Sequence, residues 1–153
     1  MSDKPPNIVL CMCDQLRSFA VGCYGNGHVR TPNIDRLAEM GNRFELAVTP
    51  NPVCTPARSA TLTGQYSRTC AGMLGNVHRN PANPVRERLL DPTLPELLRR
   101  AGYRNALIGK WHIGPRPALI GFDTAVYPRA AHRYYGQRYF DESGDSFVVK
   151  EFG

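Results

Sequence analysis

Cys54 and Arg58 are the residues whose types and spacing first suggest a reaction. Cys54 follows the loop Thr49-Pro-Asn-Pro52, and Pro56-Ala-Arg-Ser-Ala-Thr-Leu-Thr63 predicts a helix with Pro56 in its first turn and Gly64 as its stop. A polar or nucleophilic side chain at a helix N-terminus meets free backbone N–H groups and the positive end of the dipole, which is a ready anion site. Arg58 lies one helical turn on and on the same face, placed to clamp an anionic oxygen or to steady whatever Cys54 becomes. The same residues also fit a plainer arrangement, with Cys54 a buried thiol and Arg58 a solvated helix charge. Composition alone leaves both open.

Two further pairs carry chemistry. Asp14 and Gln15 follow the apolar run of residues 7–13 and offer hard oxygen ligands, which suit Ca²⁺ or Mg²⁺ rather than zinc. Two oxygens do not make a site, and a simple strand-to-loop boundary would read the same way. Lys110 and His112 alternate around Trp111 at the end of another expected strand, so both can face one crevice as an electrostatic clamp and a proton donor. An isolated Lys-x-His on a surface has the same spelling. Trp111 itself is expected to pack beneath the two polar residues. Asn76 and His78 fall in the long segment after the Cys54 helix.

The elements that must position these residues follow from periodicity and punctuation. Residues 7–13 predict a strand buried on both faces, the kind found in a parallel sheet. Residues 31–41 predict a helix of about three turns, with Thr31 as N-cap, Pro32 in the first turn, Ile34, Leu37 and Ala38 on one face, and Gly41 as stop. Residues 43–48 predict a second short strand. Residues 65–92 lack periodicity and are expected to form a long loop. Thr93 and Glu96 have capping-box spacing before a helix that ends at Gly102, and residues 104–108 predict a strand. This order predicts an α/β fold, an open sheet with its functional rim at the strand ends. Residues 146–149 predict a last strand, and the tail at 127–139 interleaves Arg and Tyr.

Composition sets outer limits. A chain of 153 residues with 42% hydrophobic and 21% charged residues is that of an ordinary globular domain rather than a disordered or collagen-like one. No apolar run approaches the roughly 18 residues of a membrane helix. The net charge of +6, with sixteen of the nineteen cations Arg, favours anionic ligands without naming one. The polar start lacks the layout of a secretory signal, so a cytoplasmic setting is expected. Five cysteines, an odd number without a CxxC pair, argue against a disulfide framework, and Cys11 and Cys13 are expected to be small core hydrophobes.

Taken together, the motifs have a recognisable spelling. Cys54-Thr-Pro-Ala-Arg58, continued by Ser-Ala-Thr-Leu-Thr-Gly64, resembles the first signature of the sulfatase family, in which Cys-x-Pro-x-Arg directs conversion of the cysteine to formylglycine. Gly102-Tyr-Arg-Asn-Ala-Leu-Ile-Gly-Lys-Trp-His112 resembles the second signature. Pro6-Asn-Ile-Val-Leu with Asp14-Gln15, and Thr31-Pro-Asn-Ile-Asp-Arg-Leu37, are similar to the opening of sulfatases. The resemblance covers roughly residues 5 to 122.

It implies an alkaline-phosphatase-like α/β fold with helices on both faces of a central sheet, and hydrolysis of a small-molecule sulfate ester. Cys54 would be the formylglycine precursor, generated by a maturase. The hydrated group would attack sulfur through one hydroxyl and release sulfate through the other, which a thiol cannot do. Asp14, Gln15 and the converted Cys54 would hold one Ca²⁺ or Mg²⁺. Arg58 would orient the nucleophile, Lys110 would bind a sulfate oxygen, His112 would stabilise the developing charge, and Asn76 would touch the substrate. Gln15 departs from the Asp-Asp pair of typical arylsulfatases and leaves the site one negative charge poorer. Asn105 stands where the family signature usually has Ser or Thr.

Family members are several times longer, and their second half supplies more metal and sulfate ligands, so the resemblance implies the N-terminal part of a catalytic domain, incomplete by itself. A phosphonate or phosphate monoester hydrolase of the same superfamily is the nearest alternative, although Lys110-Trp-His112 leans towards sulfate esters. A non-catalytic anion or nucleic-acid binding fragment using the Arg and Tyr tail is the reading from another class.

Overall fold

Proline and glycine mark where the helices begin and end. The computed structural model describes residues 4–72, 75–76, 89–90, 92–128, 138–140 and 146–148. It divides into two units, Met1–Val48 and Thr49–Gly153.

In the first unit, α1 (Pro32–Met40) starts on Pro32 and stops at Gly41, as its sequence predicts. Thr31 does not cap it with its side chain. The hydroxyl instead accepts from the Gly22 N–H at 2.8 Å and donates to Asp35 at 3.0 Å. Asp35 also accepts from the Cys23 N–H at 2.6 Å. Gly22 is required by this closeness, since a Cβ there would lie 2.6 Å from the Asp35 carboxylate. Arg43 lies over the Tyr24 ring and pairs with Glu45 and the Cys23 carbonyl.

Three expectations fail in this unit. Residues 7–13 and 43–48 form no strand, and Cys11 and Cys13 are exposed rather than buried. An apolar run becomes a strand only when a neighbour accepts its backbone hydrogen bonds, and no ladder among the described residues includes either segment. Val9 and Leu46 are accordingly 89% and 85% exposed.

The second unit holds α2 (Cys54–Thr63), α3 (Ser67–Cys70) and α4 (Leu94–Arg100), then β1 (Ala106–Ile108), β2 (Thr124–Pro128), β3 (Arg138–Phe140) and β4 (Ser146–Val148). The expected alternation of strands and helices therefore gives way to helices followed by strands. β1 and β2 are parallel, with Ala106 opposite Thr124, and β2–β3 and β3–β4 are antiparallel. β1 is two residues shorter at its start than predicted, β2 and β3 carry no clear sequence signal, and β4 occupies residues 146–148 of the predicted 146–149, the last of which lies outside the described residues. The expected loop at 65–92 contains α3, while residues 73, 74, 77–88 and 91, His78 among them, lie outside the described residues. Much of the Arg and Tyr tail, residues 129–137, lies outside them as well.

α4 has the predicted capping box: the Glu96 N–H donates to Thr93 Oγ1, and the Thr93 N–H donates to Glu96 at 2.8 Å. Cys70, Ala71, Leu89, Trp111, Ile113, Ile120 and Phe122 form the core of the unit, with Leu62, Leu107 and Tyr127 against it. Trp111 meets Phe122 edge to face at 5.7 Å and donates its indole N–H to the Pro115 carbonyl at 2.7 Å, so it packs beneath its polar neighbours as expected.

Candidate active site

The site begins with the way α2 starts. Val53 is extended, Cys54 is the first helical residue, and Pro56 follows within the first turn, where its missing N–H costs no hydrogen bond. Thr55, Pro56, Ser59 and Ala60 make up the buried face. The face is small and partly hydroxylic, and its hydroxyls are satisfied locally: Ser59 donates to the Thr55 carbonyl at 2.9 Å and Thr63 to the Ser59 carbonyl at 2.7 Å. Gly64 closes the helix in the left-handed conformation, its N–H on the Ala60 carbonyl at 2.8 Å.

Against this N-terminus lies the segment that leaves β1. The Gly109 N–H donates to the Val126 carbonyl at 2.9 Å, carrying the parallel ladder one residue past the strand. Gly109 and His112 then take positive φ values of 101° and 55°. For a residue other than glycine the left-handed conformation costs roughly 1 kcal/mol, so the fold must hold His112 there.

Three side chains tie the two segments together, and a fourth holds the helix end. The Lys110 ammonium donates to the Cys54 sulfur at 3.4 Å. The Arg58 guanidinium donates to the Lys110 carbonyl at 2.8 Å. The Thr55 hydroxyl, 1% exposed, donates to the His112 carbonyl at 2.7 Å. The Thr55 N–H donates to Asn76 Oδ1 at 3.0 Å, so Asn76 caps the helix from 21 residues away, a task the Val53 side chain does not perform.

Five of the residues singled out from sequence, Cys54, Arg58, Lys110, His112 and Asn76, thus come together at one helix N-terminus. Two cations and the helix dipole make it electropositive, and Cys54 and His112 are half-buried rather than sealed away. The arrangement can hold an anion against the side chain at position 54. Arg58 spends part of its fork on the backbone of the segment that carries Lys110, which a solvated surface charge would not do.

Asp14 and Gln15 belong to the first unit, where both are exposed at a bend and Gln15 has a φ of 56°. Asp14 therefore stands on a turn and not at a strand end. A carboxylate and an amide oxygen are the donors a hard cation takes, but among the described residues no group of three or more His, Cys, Asp or Glu side chains gathers to hold one. Thr55 had no signal in the sequence as a site residue, since a threonine after a cysteine reads as an ordinary helix position.

A sequence profile described as Sulfatase matches residues 6–147. N-acetylgalactosamine-6-sulfatase of Rattus norvegicus is 40% identical over 129 residues, 78% of this chain and 25% of that protein. Arylsulfatase H of Homo sapiens is 43% identical over 142 residues, 86% of this chain and 24% of that protein. A protein solved in complex with its substrate D-glucosamine-2-N,6-O-disulfate superposes with a TM-score of 0.80 and 34% identity, over 96% of this chain and 28% of that one. The chain spans about a quarter of the length of the curated relatives it matches.

Proposed function

The chain belongs to the sulfatase family and shares its alkaline-phosphatase-like fold, and from that premise we propose that it forms the N-terminal part of a sulfuric ester hydrolase whose nucleophile derives from Cys54. The observation that carries this reading is the Lys110 ammonium 3.4 Å from the Cys54 sulfur at the first residue of α2. Formylglycine, made from Cys54 by a maturase, would supply a geminal diol: one hydroxyl would displace the alcohol from sulfur, and deprotonation of the other would expel sulfate and restore the aldehyde, a return that a thiol has no means to make.

The other residues act around that position. Lys110 and the positive end of the α2 dipole attract an anionic sulfate oxygen and favour the charge that grows on it. Arg58 holds the Lys110 backbone against α2 and adds its positive charge one helical turn from position 54. His112 supplies a proton donor at the same turn. Asn76 fixes the helix end through the Thr55 N–H, which makes it a positioning group before any contact with substrate.

Asp14 and Gln15 are the residues that would offer oxygens to Ca²⁺ or Mg²⁺, an ion that when bound would favour developing negative charge; water or residues of a longer polypeptide would complete its coordination shell. A sulfated sugar is the first substrate class to test, because N-acetylgalactosamine-6-sulfatase is among the relatives and a disulfated glucosamine is the substrate of the solved neighbour. The experiment is turnover of paired sulfate and phosphonate monoesters by the complete natural product. Preference for sulfate, lost in Cys54→Ala, supports the reading; preference for phosphonate would replace it with the neighbouring hydrolase class.

A further inference from the structure

Thr55 touches no reacting atom, yet it joins three parts of the site. Its hydroxyl donates to the His112 carbonyl at 2.7 Å, its N–H donates to Asn76 at 3.0 Å, and its own carbonyl accepts from Ser59 at 2.9 Å. It is 1% exposed, so water does not compete for these bonds. The carbonyl it holds belongs to the residue that stands in the left-handed region, at a φ of 55°. Two residues earlier on the same turn, Arg58 holds the Lys110 carbonyl at 2.8 Å. Threonine and arginine together therefore clamp both ends of the Lys110-Trp-His112 turn onto α2.

We propose that Thr55 is a positioning residue for the sulfatase reaction: its buried hydroxyl locks the strained His112 backbone to the α2 N-terminus and so sets where Lys110 and His112 meet position 54. This rests on the function proposed above. Valine at position 55 keeps the shape and removes the hydroxyl, leaving the His112 carbonyl without that donor and the left-handed turn without its brace. Serine keeps the hydroxyl.

Two measurements separate this claim from the sulfatase reading. In the 153-residue chain, hydrogen–deuterium exchange followed by peptide mass reads the turn without any need for activity. Thr55→Val is expected to raise exchange at residues 109–114 by about tenfold while α4 stays as in the wild type, and Thr55→Ser is expected to stay within about twofold. In the complete natural product, with formylglycine content at position 54 measured for each variant, Thr55→Val is expected to lower kcat on 4-nitrophenyl sulfate by on the order of 10- to 100-fold with little change in KM, and Thr55→Ser to restore it. Unchanged exchange at 109–114 in Thr55→Val would overturn the proposal, as would a kcat within about twofold of wild type at equal formylglycine content. A wild-type product without sulfatase turnover would retract the function, and the exchange result alone would then decide whether Thr55 holds the turn.

Discussion

At Asp123 one carboxylate gathers donors from two elements. Its Oδ2 accepts from the Asn105 N–H at 2.7 Å and its Oδ1 from Arg99 at 2.6 Å. The Asn105 N–H above all holds the carboxyl below the ordinary carboxylate range; desolvation opposes it as the next effect in size, and the Arg99 guanidinium, with Arg104 beyond it, adds to the lowering. A carboxylate whose folded pKa is depressed contributes stability that is present above its unfolded value of about 3.9 and lost as pH falls through the folded value. Urea midpoints taken from pH 5 down to pH 2 should therefore fall more steeply for the wild type than for Asp123→Asn. Asn105 is the neighbour that departs from the family spelling, and its amide donates to the carbonyls of Pro95 and Gly121 at 2.8 and 2.9 Å. It pins α4 to the turn before β2. Asn105→Ala is expected to cost about 2 kcal/mol by urea unfolding, because the carbonyls of two buried residues lose their donor.

Helix boundaries were legible in the sequence because capping is local chemistry. Thr93 with Glu96, Pro32 before Gly41, and Pro56 before Gly64 each satisfy or stop a helix within a few residues of their own position. Strands were not legible to the same degree, since a ladder needs a partner far along the chain: residues 7–13 and 43–48 have the apolar pattern without a partner among the described residues, and β2 and β3 have partners without the pattern. The site divides in the same way. The spacing of Cys54 and Arg58 on one helix face, and of Lys110 and His112 around a packed Trp111, could be read directly. The tie from Thr55 to residue 112, 57 residues away, could not. Two element-scale predictions follow from the clasp between α4 and residues 120–121. Thr93→Ala removes both the cap and the hydroxyl 2.8 Å from the Ile120 carbonyl, and is expected to cost about 1–2 kcal/mol in urea unfolding. Gly121→Ala is expected to cost more than roughly 2 kcal/mol, because φ is 99° and the added Cβ would lie 2.5 Å from the Glu96 nitrogen.

Over the whole molecule, family membership and the local geometry bear on the same residues: the profile spans residues 6–147, and within that span Cys54, Arg58, Lys110, His112 and Asn76 come together. The chain covers about a quarter of its curated relatives, and large apolar side chains such as Val9, Val48 and Ile108 are more than four-fifths exposed. Such surface binds apolar probes, so the 153-residue chain should bind a hydrophobic dye. Asp14→Ala in the protein purified from its natural host should weaken Ca²⁺ or Mg²⁺ binding, read by titration calorimetry, without altering the helix content. On the proposed reading, the nucleophile stands at the first residue of α2. The mass of the peptide containing Cys54, taken from the protein purified from its natural host, tests this together with sulfate-ester turnover of the same sample and of Cys54→Ala. Formylglycine in place of the thiol is expected, with turnover that vanishes in Cys54→Ala. An unmodified thiol at position 54 in a sample that hydrolyses sulfate esters, with Cys54→Ala just as active, would overturn the nucleophile assignment.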